Sequence, residues 1–162
     1  VDYIYEKITG NGYDFPFIFL INDQPIGYIV ACDLYAYRTI CKQPKGLFTK
    51  EPPGTFCIDL FIGDEIHLDK GYGTNIMRAF IDYIFQHFKA DRILIDPAVS
   101  NKRAIHCYEK AGFKIIGEAF DGITDCYCME IKKEDVNARV KEEGTAAKLL
   151  ISACLLGQKV RY

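Results

Sequence analysis

The chain lacks the features that would tie it to a membrane or to nucleic acid. No apolar run reaches the roughly 18 residues of a transmembrane helix, and no cleavable signal is visible. Its 20 basic and 22 acidic residues leave a net charge of −2, with no basic stripe carrying interleaved aromatics. We therefore expect no membrane partner and no nucleic-acid partner.

Disulfide and metal patterns are also missing. The seven cysteines are odd in number and scattered, and none forms a C-x-x-C pair. The three histidines show no ligand spacing either. These absences favour reduced thiols in a cytoplasmic protein and predict no metal site.

Size and composition indicate one domain with a tail. The chain has 162 residues, of which 49% are hydrophobic and 26% charged, as in an ordinary globular protein. Such a chain buries a full core without disulfides. We place the domain at residues 1–133 and a linker with a C-terminal extension at 134–162. Within that extension, the apolar stretch 149–157 is typical of a buried strand.

The first half of the chain predicts mainly strands. Residues 1–8 read as the end of a helix. An apolar run at 15–21 and a second at 26–35 predict a hairpin around a turn at 22–25. The Pro- and Gly-rich stretch 37–54 predicts a loop that is a candidate for substrate binding. Residues 55–62, rich in β-branched and aromatic side chains, predict a central strand.

The second half alternates helices and strands. Apolar residues four apart predict a helix from Gly73 to Lys89. A short strand follows at 92–95, then a helix capped by Ser100 or Asn101 and stopped at Gly112. Strands at 113–120 and 125–131 close the domain. The order predicts an α+β (α/β) fold with a mixed β-sheet and flanking helices.

The first chemical motif opens the predicted helix after residue 72. Glycines at 71 and 73 remove Cβ atoms where a ligand would approach the backbone, and N–H groups at a helix start converge on phosphate oxygens. Lys70 adds a cation. A tight strand-to-helix turn is the alternative, and the Walker pattern is absent. The motif reads Leu68-Asp69-Lys70-Gly71-Tyr72-Gly73-Thr74.

The second motif carries a family resemblance. It runs Asp96-Pro97-Ala98-Val99-Ser100-Asn101-Lys102-Arg103-Ala104-Ile105-His106-Cys107-Tyr108-Glu109-Lys110-Ala111-Gly112-Phe113. This stretch resembles the GCN5-related N-acetyltransferase superfamily, and within it the aminoglycoside 6'-N-acetyltransferase-like proteins. The Ile58-Asp59 strand and residues 22–28 are similar too. The resemblance covers about residues 15–132.

The resemblance implies a set of cofactor contacts. Acetyl-CoA, the co-substrate, should lie in a splay between the strands 55–62 and 92–95. Leu60 and Ile62 should hold its acetyl and pantetheine part, and the amides of 68–74 its diphosphate. Asn101 and Ala104 should contact the cofactor arm, with Tyr108 beside the sulfur. The superfamily's usual Arg or Gln three residues before the first glycine is Leu68 here.

The implied reaction needs an acid and a base. A neutral amine attacks the thioester, and the leaving thiolate needs a proton. Tyr108 is the candidate acid, or else a packed helix tyrosine. Asp59 is the candidate base or ammonium ligand, or else a loop-stabilising carboxylate. Asp96 would bind the cationic substrate, or else form the turn before Pro97, and Asp121 is a third candidate.

We therefore predict an N-acetyltransferase that acts on a primary amine of a small cationic acceptor, aminoglycoside-like or polyamine-like, in a ternary complex. The alternatives are a non-catalytic acyl-CoA-binding module and a protein or peptide N-acetyltransferase. A cationic acceptor suits the acidic side chains electrostatically. The identity of the acceptor is left open.

Two features concern the ends of the chain. Elements that precede the matching region in this family have no counterpart here, which indicates a fragment or a pocket wall supplied by another subunit. A shortened fold with an apolar tail also favours a homodimer. Residues 148–162 resemble the opening of the thiouracil desulfidase family, with Cys154 at its first cluster-binding cysteine. The other ligands are absent, so we expect no cluster and read the tail as the start of a second domain or an extra strand.

Overall fold

The described part of the protein is built on one mixed β-sheet. The structure, a computed structural model, describes residues 11–21, 24–63 and 65–137. The predicted helix end at 1–8 and the apolar stretch 149–157 lie outside these residues. The described strands are β1 (Asp14–Ile21), β2 (Gln24–Asp33), β3 (Thr55–Ile62), β4 (Arg92–Ile95), β5 (Lys114–Phe120) and β6 (Asp125–Lys132). The helices are α1 (Leu34–Ile40), α2 (Tyr72–His87) and α3 (Lys102–Ala111), with a 3-10 turn at Glu65–His67.

The sheet contains one parallel strand pair, and that pair is short. Its strand order is β1-β2-β3-β4-β6-β5, and every neighbouring pair except β3 with β4 is antiparallel. β3 and β4 pair only over Thr55–Cys57 and Arg92–Leu94. β3 continues to Ile62 while β4 ends at Ile95. The pairing thus stops midway along β3, which confirms the predicted mixed sheet and matches the expected position of the splay.

Helix α2 supplies much of the core. Its buried residues recur every three to four positions and face the sheet: Ile76, Met77, Phe80, Ile81, Ile84 and Phe85. This periodicity confirms the predicted helix, which begins one residue earlier and ends two residues earlier than expected. Burial of such a stripe is the main stabilisation of a surface helix, because isolated helices of this length are marginal in water.

Helix α3 is capped as its sequence predicts. Asn101, one of the two candidate caps, accepts a hydrogen bond on its side-chain oxygen from the Ala104 N–H at 3.1 Å. At the other end Gly112 has φ 112°, in the left-handed region that an L side chain rarely adopts. The Arg78 guanidinium donates to the Lys110 carbonyl at 2.7 Å and 3.2 Å. The last turn of α3 is therefore tied to α2.

Between β2 and β3 the structure differs from the prediction. Leu34–Ile40 forms α1, whereas 26–35 was predicted to be strand and 37–54 loop. The cause is Asp33, whose Oδ1 accepts the Ala36 N–H at 2.9 Å and starts a helix where the strand ends. β2 also begins two residues early, at Gln24, and Pro25 pairs with Leu20 beside a β-bulge that tolerates its missing N–H.

Candidate active site

A single groove collects most of the residues predicted to hold the cofactor. It has a volume of about 410 Å³ and lies between the end of β3, the start of α2 and one side of α3. The glycine-opened helix start and Tyr108 share this groove. Every residue predicted to contact the cofactor lines it except Lys70 and Tyr72. Those that do are Leu60, Ile62, Leu68, Asp69, Gly71, Gly73, Thr74, Asn101, Ala104 and Tyr108.

The start of α2 has the backbone geometry of an anion cradle. Gly71 has φ 78° and Asp69 has φ 56°, so the chain turns sharply just before the helix. The first N–H groups of a helix have no intrahelical acceptor and carry the positive end of its dipole. Of the residues that carry these donors, Gly73 and Thr74 line the groove and have small or absent side chains.

Gly73 brings the helix start against α3. A Cβ atom at Gly73 would lie 3.3 Å from the Cys107 Sγ and 3.7 Å from the Ile62 Cδ1. The Thr74 hydroxyl donates to the same sulfur at 3.6 Å. Burial raises the pKa of the Cys107 thiol, while Thr74 and the Lys110 charge act in the opposite direction. Cys107 is thus a packing contact between the two walls, and its thiol is held in the neutral form.

Two of the predicted cofactor contacts, Lys70 and Tyr72, lie outside the groove lining, and so do the predicted substrate carboxylates Asp59, Asp96 and Asp121. Lys70 is exposed. Tyr72 packs against the hydrophobic core, and its ring centroid lies 5.8 Å from that of His67. Tyr72 therefore serves packing through its side chain, and any contact with a cofactor would come from its backbone.

Two carboxylates stand where β3 and β4 part. Cys57 of β3 pairs with Leu94 of β4, and Asp59 and Asp96 each follow two residues later. Asp59 is exposed and Asp96 half-buried. Burial raises the pKa of Asp96, and the charges of Asp59 and Asp121 raise it further. Asp96 is therefore close enough to Asp59 and to Asp121 for both charges to act on it.

Asp121 also has a local task in the β5–β6 turn. Its Oδ1 accepts the N–H groups of Ile123 at 2.7 Å and Thr124 at 2.8 Å. These hydrogen bonds lower the pKa of Asp121, which is fully exposed. The turn contacts alone account for an aspartate at this position, so its role toward substrate stays a prediction.

Tyr108 lines the groove and is close enough to Asp59 and Asp96 for their charges to act on it. Burial raises the pKa of its phenol well above the usual value, and the nearby Cys107, Asp59, Cys57 and Asp96 act in the same direction. The phenol therefore keeps its proton at physiological pH. A phenol of raised pKa is a weaker acid, so any contribution to a leaving thiolate would foremost be a donated hydrogen bond.

Several groove residues were missed from sequence. They are Phe61, His67, Arg103, His106, Cys107 and Lys110. Four of these lie on α3 at helical spacing from Asn101, Ala104 and Tyr108, so a helical projection of the second motif would have found them. Phe61 and His67 are placed by the end of β3 and the 3-10 turn, and no motif marks them.

Within the described ranges, no three His, Cys, Asp or Glu side chains come together as metal ligands. In the same part of the chain, no helix is long and apolar enough to cross a membrane. Six of the seven cysteines are described and all six are free thiols, while Cys154 lies outside the described residues.

The fold and groove define an α+β acetyltransferase-type domain, in which a parallel strand pair parts beside a glycine-opened helix. The family model for the acetyltransferase (GNAT) domain matches residues 1–120. The chain belongs to this family, which confirms the resemblance of its second motif. The likeness of the tail to thiouracil desulfidases stays a prediction and lies outside the described residues.

Named relatives are similar to parts of the chain. Aminoglycoside N(6')-acetyltransferase type 1 of Klebsiella pneumoniae is 35% identical over 99 residues, which are 61% of this chain and 47% of that protein. Spermine/spermidine N(1)-acetyltransferase of Bacillus subtilis is 28% identical over 99 residues, 59% and 62% of the two chains. The chain spans about half the length of the aminoglycoside relative it matches.

A solved structure extends the similarity to the fold. The aminoglycoside acetyltransferase AAC(6')-Ib in complex with coenzyme A and kanamycin superposes with a TM-score of 0.70 at 28% identity. The superposition covers 83% of this chain and 73% of that one. The sheet and flanking helices described here therefore recur in an acetyltransferase that binds coenzyme A.

Proposed function

We propose that this chain transfers an acetyl group from acetyl-CoA to a primary amine of a small polycationic acceptor, by direct attack in a ternary complex. The observation that carries the proposal is the single groove joining the glycine-opened start of α2 to Tyr108. At the β3–β4 end of the site stand Asp59 and Asp96, which suit a cation. The similarity to aminoglycoside and spermine/spermidine acetyltransferases supports this class of acceptor.

The cofactor would be held at two places. Its diphosphate would accept hydrogen bonds from the N–H groups of residues 71–74, helped by the dipole of α2. Its pantetheine arm would run along β3, whose pairing with β4 ends at Cys57. An extended amide chain can add to such a strand edge as a further strand would, near Leu60 and Ile62.

The chemistry then needs only groups already at the site. The neutral amine attacks the thioester carbonyl, the carbon–nitrogen bond forms, and the carbon–sulfur bond breaks. Asp59, directly or through water, would take the proton that the amine loses. The thiolate would receive a hydrogen bond from the Tyr108 phenol and would take a proton from water as free CoA leaves. Asp96 would hold the ammonium groups of the acceptor that do not react.

The test combines binding with turnover. Isothermal titration of acetyl-CoA should show one site, and a thiol reagent should detect CoA release with aminoglycosides or polyamines. Binding without turnover on any amine would identify an acyl-CoA-binding module, and turnover only on peptides would identify a peptide acetyltransferase. Absence of acetyl-CoA binding contradicts the proposal.

A charge variant tests the acceptor site. Asp59→Asn should raise KM for a polycationic amine and leave the Kd of acetyl-CoA nearly unchanged. Asp125→Asn is the charge-matched control: like Asp59, Asp125 is an exposed carboxylate outside the groove lining, but its charge is not among those that raise the pKa of Asp96. The KM for the cationic amine should also rise with ionic strength in the wild-type protein, since screening weakens attraction between exposed charges. An equal KM for both variants would remove Asp59 from the acceptor site.

A further inference from the structure

One wall of the groove carries basic side chains in addition to the helix-start amides. Arg103, His106 and Lys110 all line it, and they occupy positions i, i+3 and i+7 of α3. Residues at this spacing share one face of a helix. Among the described residues that line the groove, Asp69 is the one carboxylate. This face of α3 therefore presents positive charge to whatever occupies the groove.

This face of α3 lies next to the helix start that would hold the diphosphate. Cys107 is the residue of α3 that contacts the start of α2, through Gly73 and Thr74. Arg103 precedes Cys107 by four residues and Lys110 follows it by three, so each lies within about one helical turn of that contact. Any anion held beside the cradle on the α3 side would lie within reach of these long side chains.

The wall is also held in place. Arg78 of α2 donates two hydrogen bonds to the carbonyl of Lys110, and Asn101 caps the opposite end of the helix. Because the backbone of α3 is fixed at both ends, its cations stay at the groove without reordering the helix when a ligand binds. The backbone of the helix therefore loses no freedom when a ligand binds, and the entropic cost falls on the exposed side chains alone.

We propose that the basic face of α3, formed by Arg103, His106 and Lys110, binds the phosphate on the ribose 3′ oxygen of CoA and so selects CoA over its dephosphorylated form. The inference rests on the proposed function, because it assumes that CoA fills this groove. The helix-start amides would bind the diphosphate of CoA. The remaining phosphate group of CoA lies one ribose away, and the basic side chains of α3 would bind it.

The experiment compares CoA with dephospho-CoA by isothermal titration at low salt. We expect the wild-type protein to bind CoA about tenfold more tightly, as one or two partly exposed charge-assisted contacts would produce. The double variant Arg103→Ala/Lys110→Ala should bind both ligands with nearly equal Kd, close to the wild-type value for dephospho-CoA. The wild-type preference should shrink as salt is raised from about 0.05 to 0.5 M, because the contacts are exposed to solvent.

Lys102→Ala is the matched control. Lys102 is the neighbour of Arg103 on the same helix and carries the same charge, but it lies over the Tyr127 ring and outside the groove lining. This variant should keep the tenfold preference. Melting temperatures of all variants should be recorded, so that a loss of binding is separated from a loss of fold.

Three results would overturn the inference. The first is equal binding of CoA and dephospho-CoA by the wild-type protein. The second is a double variant that stays folded and weakens both ligands by the same factor. The third is a preference lost equally in Lys102→Ala, which would trace it to overall charge. Failure of the proposed function looks different, because then neither ligand binds the wild-type protein at all.

Discussion

The substitution Gly73→Ala separates the stability of the helix start from its proposed ligand contact. Gly73 lies in the first turn of α2, where its backbone is helical and its φ is not in the left-handed region. Alanine there would gain up to about 1 kcal/mol, because glycine has more conformational freedom to lose on folding. The new Cβ would lie 3.3 Å from the Cys107 Sγ, which is tight and costs about as much as the helix gains. We therefore expect a free energy of unfolding within about 1 kcal/mol of wild type.

The effect on acetyl-CoA should be much larger. Gly73 lines the groove, so a methyl group there would take up space beside the backbone that the proposed diphosphate would approach. Loss of one hydrogen bond to a charged group costs roughly 1.5–3 kcal/mol, so the Kd of acetyl-CoA should rise about 10- to 100-fold. Isothermal titration measures this change, and thermal unfolding followed by circular dichroism measures the stability.

Gly117→Ala is the control for this prediction. Gly117 lies on β5, its φ is not positive, and a Cβ there meets no atom within 4 Å among the described residues. It should leave the Kd of acetyl-CoA unchanged. The reasoning fails if Gly73→Ala, with the fold intact, binds acetyl-CoA as tightly as Gly117→Ala does.

Three further substitutions test the site and its supports. Tyr108→Phe should lower kcat about 100-fold and change the Kd of acetyl-CoA less than twofold, since only the hydrogen bond to the thiolate is lost. If the thiol assay gives an unchanged kcat, the phenol has no part in the mechanism. Burial and neighbouring charges raise the pKa of Asp96. Above that raised pKa, the ionised carboxylate destabilises the folded protein. The lost stability is regained as the pH falls through the raised pKa toward the usual aspartate range. Asp96→Asn should therefore raise Tm at pH 7 and lose this advantage near pH 4, and a Tm difference that does not vary with pH contradicts the shift. Gly112→Ala forces alanine to φ 112°. This should lower the free energy of unfolding by about 1 kcal/mol, or Tm by roughly 2–4 °C, and leave the affinity for acetyl-CoA unchanged. An undiminished Tm would show that the backbone at the helix end can relax.

Local sequence signals predicted the helix ends that depend on contacts between residues close together in the chain. The cap at Asn101 and the stop at Gly112 depend on side chains within one turn, so the ends of α3 follow from its own residues. The same kind of signal is present at Asp33, yet the pattern predicts a strand to residue 35 and a loop from 37 where the helix forms. Periodicity over so few residues fits either structure, and the hydrogen bond that the Asp33 side chain accepts from the Ala36 N–H favours the helix.

The groove could be predicted only in part. The motifs at 68–74 and 96–113 marked which residues belong to it, and most of them do line one cavity. Tyr72 was included because it stands inside the first motif, but its ring packs in the core. A motif defines neighbours along the chain, whereas the direction of each side chain depends on what packs against its helix.

The amino-acid sequence by itself determined the family, the helix starts with their glycines, and the chemical types at the site, because each depends on residues near one another in the chain. Only the tertiary structure decided that Cys107 closes against Gly73, that Asp59 and Asp96 stand together where β3 and β4 part, and that Arg103 and Lys110 face the groove. These relations join residues more than 30 positions apart or depend on which side of a helix meets its neighbour. They follow from strand register and helix packing, which no local pattern specifies.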